Sequence, residues 1–354
     1  MKPPLRSRRG ARFQRARPTT QIGEPQNTNT MRTYRIDLEL RSGLGTPLAA
    51  DTLWGHLCWG IRHRHSQQAL IEWLERYDTA EPPLVLSDPF PAGYWPRPVL
   101  PPAPRPVQPP RKEHADERKR LDKINWLTDA ALRECLNAIS PDAIQRAAQT
   151  SSQPPVSHEL AVTHAGVNRL TGGTAQEGGG VLFTTTQNYF ASDAHYSVWA
   201  RSPESSDTVR QWFEQGLIGG YGRDASSGLG QIIVTAVVTA ELPAAKQPNA
   251  VMLLGPTVPQ TGDPHRGFFQ LGTRSGRVGG DFAIGPLPDG STQRQKRPVH
   301  CLLAGSVLLT DQPPPFVGRV LRNVHQWSEL RHYGLSLTLP IRLESTMLSD
   351  PLLF

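Results

Sequence analysis

The chain has 354 residues and a formal net charge of +7, with 34 prolines and 31 glycines and 37% hydrophobic residues. That length admits two domains with cores of their own, and the proline and glycine content predicts long loops between ordered elements. No apolar run nears the ~20 residues of a membrane span, residues 1–30 lack the apolar stretch of a secretory signal, and Cys58, Cys135 and Cys301, odd in number and never in a CxxC pair, form neither a disulfide framework nor a zinc site and fit a reducing, cytoplasmic compartment.

Residues 1–30 carry Lys2, Arg6, Arg8, Arg9, Arg12, Arg15 and Arg17 against Glu24 alone, so the body from Met31 onward is close to neutral. Any anion site within it is a local patch rather than a basic surface. Without apolar periodicity, residues 1–30 read as a disordered basic extension. It is either an unstructured tail or a product of start-site choice, with a nonspecific RNA-binding arm as the alternative.

From Tyr34 apolar and charged residues alternate as in a half-buried strand, which Gly43, Gly45 and Pro47 end in a loop. Asp51 is placed to cap a helix whose core stripe is Leu53, Trp54, Leu57, Cys58 and Ile61, with Gly55 beside it for close packing on a sheet. A second helix follows, with Ala69, Leu70, Trp73, Leu74 and Tyr77 as its apolar face, then a short strand at Leu84–Leu86. The prolines of 89–110 exclude regular helix and central strand. Glu113 to Leu136 reads as a solvent-exposed helix, amphipathic around Ile124, Trp126, Leu127 and Leu132.

The glycines between 172 and 180 mark a hairpin tip or loop, and Phe183–Phe190 with Tyr196–Trp199 read as paired strands. Ser202 and Pro203 predict a helix start, with Val209, Trp212, Phe213 and Leu217 as the core face. A glycine loop and the strand Gln231–Thr239 complete a β-α-β…β-α-β order, the split arrangement of ferredoxin-like folds. The predicted fold class is α+β. Residues 31–242 form a first ferredoxin-like domain with insertions at about 89–180. Residues 243–354 form a second domain, a degenerate ferredoxin-like unit or a small β-rich one. Its strand candidates are Val251–Leu254, Gly267–Gly272, Val299–Leu309 and Leu335–Leu343, and only Phe316–Val324 could be helical.

The loop Gly219-Gly-Tyr-Gly-Arg-Asp-Ala-Ser-Ser-Gly-Leu-Gly-Gln231 is the strongest site signal. Glycines at that density permit positive φ and close approach to the backbone. The N–H groups of Gly219, Gly220, Gly222 and Gly228 with Arg223 make an anion cradle on this reading. No Lys-Ser or Lys-Thr follows, so the loop is no Walker A motif, and HD, GGDD, HExxH and CxxC patterns are absent. It is an RNA cradle or a plain helix-to-strand turn with a solvated arginine.

Residues 44–59, Leu86–Tyr94, Asn168–Gly172, Gly219–Gln231, Gly305–Val307 and Tyr333–Pro340 together resemble RAMP proteins of type III CRISPR effectors, specifically the fourth subunit of the Csm complex. The resemblance spans roughly residues 31–343. It implies two ferredoxin-like (RRM-like) RAMP domains and a non-catalytic subunit that holds the 5′ repeat-derived tag of crRNA. It also implies contact with the large polymerase-like subunit and with the backbone RAMP subunit, without cofactor, metal or membrane. The RNA-contacting candidates are Gly219, Gly220, Tyr221, Gly222, Arg223, Ser227, Gly228 and Gly230, with Tyr221 stacking a base and Arg223 on a phosphate. Asn168, Arg169, Thr171, Gly45 and Arg41 join them, and Arg274 is weaker. The alternatives are a metal-independent endoribonuclease that processes repeat RNA, or the equivalent capping subunit of another type III subtype. His56, on the first helix, is the residue a nuclease would use, but its register towards the apolar face favours a structural or subunit-contact role, and no acid–base partner is assigned to it.

Overall fold

The computed structural model describes residues 31–349 except 80, 102–119, 122, 155–156, 168–169, 175–181, 192–193, 284–289 and 291–293. The basic extension 1–30 and the candidates Asn168 and Arg169 therefore lie outside the described residues. Strand β1 (Arg32–Leu40) buries Tyr34, Ile36, Leu38 and Leu40 on one face. Helix α1 (Ala50–Arg64) returns the chain, and α2 (Gln67–Glu75) follows, with Tyr77 buried in a 3-10 turn beyond it. Strand β2 (Val85–Leu86) closes this stretch. Strands β3 (Phe90–Pro91) and β4 (Tyr94–Pro96) are the only regular structure among the described residues of the proline segment.

The charge-rich stretch departs from expectation. Arg120 and Leu121 are helical as expected, but Trp126–Thr128 are a strand, β5, paired with β4, and a separate helix, α3, runs from Asp129 to Cys135. Trp126 packs edge-on to Phe90 and Leu127 is fully buried, so tertiary contact overrides the helical spacing. Helix α4 (Pro141–Thr150) is capped by Ser140. Strands β6 (His158–Ala165) and β7 (Leu182–Tyr189) then form a separate two-stranded ribbon. The predicted pairing of Phe183–Phe190 with Tyr196–Trp199 is thus wrong: β8 (His195–Ser202) joins β1 instead, with Ile36 opposite Val198. Period-two alternation identifies a strand but not its partner.

Helix α5 (Ser206–Leu217) buries Val209, Trp212, Phe213 and Leu217 as expected, but its cap is Ser205, not Ser202. The Ser202 hydroxyl is turned inward to the Pro83 carbonyl. Strand β9 (Ile232–Thr239) completes a sheet ordered β2-β8-β1-β9, all antiparallel, with β3 also on β8.

The expected boundary near 242 falls between β9 and β10 (Ala250–Leu253), where the chain enters a second sheet. It contains β11 (Gly267–Phe268), β14 (Val307–Leu309), β15 (Phe316–Gly318) and β16 (Leu335–Ile341), ordered β11-β14-β10-β16-β15. Strands β12 (Leu271–Arg274) and β13 (Val299–Leu302) pair separately. The stretch allowed to be helical, Phe316–Val324, begins as strand β15. One core cluster runs through both sheets, from Tyr34 and Leu57 to Met252 and Leu339. At the junction the Tyr333 hydroxyl accepts the Leu86 N–H at 2.6 Å, and the Asp88 N–H donates to the Leu254 carbonyl at 2.8 Å.

Two local details set the site. The N-terminus of α1 is not capped by Asp51, whose Oδ1 takes only the Thr52 N–H. Asp88, 38 residues on, accepts the Ala50 N–H at 2.7 Å and satisfies that helix-end donor from outside. Helices α1 and α5 meet at glycine on glycine: a Cβ on Gly60 would lie 2.6 Å from the Gly216 nitrogen, and one on Gly216 3.0 Å from the His56 carbonyl. Gly55, the expected packing glycine, has no neighbour there within 4 Å. Gly55→Ala should therefore stabilise the chain by up to about 1 kcal/mol through helix propensity, whereas Gly60→Ala should destabilise it by about 1–3 kcal/mol through overpacking. Denaturant unfolding of the two variants reads both signs.

Candidate functional site

Three segments converge at one end of the first sheet. They are the loop from Arg41 to Ala49 after β1, the glycine loop Gly219–Gln231 after α5, and residues 186–189 of β7. Leu44 and Asn188 exchange backbone hydrogen bonds at 2.8 and 2.9 Å, Gly230 donates to the Gly43 carbonyl, and Arg41 donates to the Gln231 carbonyl. The Arg223 N–H donates to Thr46 Oγ1 at 2.9 Å.

His56 holds the glycine loop from below. Its Nε2 accepts the Gly222 N–H at 3.0 Å, and its ring stacks on Tyr221 with centroids 5.2 Å apart. Accepting at Nε2 requires that nitrogen to be unprotonated, and burial lowers the imidazole pKa below 6.5 in the same direction. The acceptor is thus supplied by the α1–α5 crossing, since Gly60 sits one turn beyond His56.

Three of the four N–H groups expected to form a cradle are bonded within the chain. Gly220 donates to the Leu217 carbonyl, Gly222 to His56, and Gly228 to the Ala225 carbonyl. Ser227 and Gly230 donate to the Asp224 and Gly43 carbonyls. The molecule that approaches these glycines is the chain itself. A Cβ on Gly222, at φ +75°, would lie 2.6 Å from Thr46, and one on Gly45 2.5 Å from the Arg223 carbonyl. A Cβ on Gly230, at φ +69°, would meet the Tyr221 carbonyl at 2.0 Å. Gly219 and Gly228 alone of the loop's glycines face open space.

Tyr221 is likewise corrected as a stacking residue. It is fully buried, its hydroxyl donates to the Pro47 carbonyl at 2.8 Å and accepts the Ala49 N–H at 3.0 Å, and burial raises its pKa. It joins the two loops and has no face for a base.

Arg223 is exposed, with 46% of its side chain accessible. Its Nη2 donates to the Thr186 carbonyl at 2.7 Å and its Nε pairs with Asp224 at 3.1 Å, which fixes the guanidinium against the ribbon and offsets part of its charge. Ser227 is exposed beside it. Arg41, 56% exposed, pairs with Glu39. Thr171 is exposed at the other end of the ribbon, beyond the six residues from Asn188 to Leu182, roughly 20 Å away. Arg274 is not part of this site: it is partly buried, with its Nε 3.9 Å from the Asp51 carboxylate.

The planar side chains beside Arg223 are ones the sequence reading missed. On one face of the ribbon, Tyr189, Phe183 and His164 share the alternation of Leu160 and Val162. His164 stacks on Phe183 at 5.1 Å, and Phe183 and Leu160 are 49% and 50% exposed. Gly43 lies against the Tyr189 ring, which ties this face to the loops. The period-two run Phe183, Thr185, Gln187, Tyr189 carried that signal.

No protein-family model matches the chain, and no curated protein matches it. Among solved structures, a chain of the Csm1–Csm4 cassette in complex with AMPPNP is similar at 17% identity and a TM-score of 0.53, over 89% of this chain and 99% of that one. A chain of the same cassette in complex with cA4 is similar at 16% identity and 0.53, over 88% and 99%. A chain of a Csm3–Csm4 subcomplex of the type III-A CRISPR-Cas interference complex reaches 14% identity and 0.47, over 88% and 100%. At such identities the likeness is one of fold, and this chain shares its fold with a chain of the Csm1–Csm4 cassette. That cassette contains the subunit that the sequence resemblance named. Among the described residues no helix is long and apolar enough to cross a membrane.

Removing the His56 acceptor leaves the Gly222 N–H unpaired, so His56→Ala should cost about 1–3 kcal/mol. Because the folded pKa is depressed, the stability tied to neutral His56 is fully present above pH 6.5 and is lost as pH falls through the folded value. Thermal unfolding followed from about pH 8 to 5 should show this acid limb. His56→Gln, which keeps an acceptor but does not titrate, should reduce this limb and leave the part that belongs to His332, whose pKa burial lowers to about 4.

Proposed function

We propose that the chain is a non-catalytic RNA-binding subunit of a type III-A CRISPR effector, holding the 5′ repeat-derived tag of crRNA in the cytoplasm. Two kinds of partner protein go with this role, the large polymerase-like subunit and the backbone RAMP subunit. The observation that carries the reading is the likeness in fold to a chain of a Csm1–Csm4 cassette over nearly the whole length of that chain. The sheet order β2-β8-β1-β9 with α1 and α5 supports assigning the first half to the ferredoxin-like class, and the β-rich second half is its degenerate counterpart.

The RNA would be met by side chains, not by loop amides. Arg223 presents a fixed guanidinium to phosphate, and Tyr189, Phe183 and His164 offer flat faces on which unstacked bases can lie. The glycines set the shape that carries Arg223, and Asn168, Arg169, Thr171 and Ser227 are further contacts on this reading. The endoribonuclease reading would require His56 to exchange a proton with substrate, yet its Nε2 is bonded to Gly222 and its ring is packed on Tyr221.

Arg223→Ala should weaken binding of tag-bearing single-stranded RNA by about ten-fold, as should Phe183→Ala with Tyr189→Ala, at ~1–3 kcal/mol per stacked base. Fluorescence anisotropy in the purified subcomplex measures both, and unchanged affinity in each variant would remove this surface from the RNA path. Gly222 is a poor test position, because a side chain there breaks the loop itself. Incubation with repeat RNA in EDTA separates the catalytic alternative: specific cleavage abolished by His56→Ala would overturn the non-catalytic reading.

A further inference from the structure

A cavity of about 600 Å³ lies apart from the glycine loop, between the segments around Pro96–Pro101 and Ile124–Trp126, the first turns of α4, and residues 270–274 and 303–304 of the second half. Its size is that of a small-molecule site. Three charged side chains line it: the carboxylate of Asp88 and the guanidinium groups of Arg274 and Arg97, of which Arg97 Nη1 donates to the Leu121 and Ile124 carbonyls at 2.7 and 3.3 Å. Asp88 spends one oxygen on the Ala50 N–H, and an ionised carboxylate has about four lone-pair sites, so acceptor capacity remains. Arg274 Nε is buried with no hydrogen-bond partner, and its nearest carboxylate, Asp51, stands at 3.9 Å. Unpaired donors of this kind are costly unless a ligand or water meets them.

The remaining lining narrows the chemistry. Prolines and the Trp126 indole give flat apolar walls, and the amides of Asn125, Gln145 and Gln270 add donors and acceptors without charge. A carboxylate repels a phosphate, so the part of the ligand that faces Asp88 is uncharged. It must be planar, with adjacent donors on one edge for Asp88 and acceptors on another for Arg274. Among the nucleobases only guanine offers both, through N1–H with the N2 amino group and through O6 with N7. Adenine and cytosine turn acceptors towards a carboxylate on that edge, and uracil has one donor between two acceptors. Burial, opposed by the Ala50 N–H and Arg274 and reinforced by Asp51, holds Asp88 at about 7. Donors from a bound base would favour its ionised form.

We propose that this cavity is a guanine site, with Asp88 accepting from the N1–H and N2 amino edge, Arg274 donating towards O6 and N7, and Trp126 and the prolines enclosing the ring. The assignment does not depend on the RNA role above, because a free guanine nucleotide and a guanine in a single strand present the same edges.

Isothermal titration of the full chain with GMP, AMP, CMP and UMP, and with short single-stranded RNAs that differ by one guanine, tests the site. The expected result is a preference for guanine of about ten-fold or more in at least one arm. Preference in the mononucleotide arm identifies a free nucleotide as sufficient, and preference confined to the RNA arm identifies a strand as the source. Asp88→Asn retains an oxygen for the Ala50 N–H, so it should fold while losing the guanine preference by about ten-fold. Arg274→Gln should lose it too. If Arg274→Gln fails to fold, the wild-type preference and Asp88→Asn decide. Absence of guanine preference in both arms, or a preference unchanged in Asp88→Asn, overturns the assignment. RNA binding that depends on Arg223 yet ignores guanine would overturn this site and leave the RNA reading standing.

Discussion

The contact between Gly60 and Gly216 governs the geometry of everything at the sheet's loop end. Only where two helices lack Cβ atoms at the crossing can backbone approach backbone this closely. The approach puts His56 under the loop that follows α5, near enough for its Nε2 to accept the Gly222 N–H. It also lets Tyr221 pass beneath the β1–α1 loop and join Pro47 and Ala49. Separating the helices by the width of a methyl group would take away the acceptor, the ring stack and the tyrosine bridge at once.

From that contact follows a different account of the glycine loop. The amides of Gly220, Gly222, Gly228 and Gly230 among others are bonded to carbonyls, two hydroxyls and an imidazole of the same chain, so the loop is a folded knot whose exterior carries Arg223, Ser227 and Gly228. Glycine appears at 222 and 230 because φ is positive there and a neighbour occupies the space of a side chain. A loop built this way presents side chains in fixed positions, which suits recognition by geometry better than a mobile cradle does. The neighbouring ribbon extends the surface with flat apolar groups, and the Thr186 carbonyl holds the guanidinium against it.

The second structural junction has its own polar logic. Asp88 ends the first half's β2 segment, caps α1 from a distance, and bonds through its own N–H to Leu254 of the second sheet. With Tyr333 on Leu86, it locks the two sheets together at the margin of the large cavity. The position that fastens the halves is therefore also one that faces the cavity, and Arg274, the weaker of the RNA-contact candidates, is its partly buried counterpart.

The sequence by itself determined β1 and β16 from their alternation and run of apolar residues, α1, α2 and α5 from their apolar stripes, and the location of a constrained loop at 219–231 from its glycines. These are local signals, written in periods of two and 3.6 and in residues that tolerate positive φ. Only the tertiary structure decided that β7 pairs with β6 while β8 joins β1, that Trp126–Thr128 is strand, and that Asp88 rather than Asp51 caps α1. It also decided that Tyr221 is buried while Tyr189 and Phe183 are exposed, and that the N–H groups of Gly220, Gly222 and Gly228 are already taken. Each of those outcomes depends on a partner distant in sequence, and no local pattern states which partner that is.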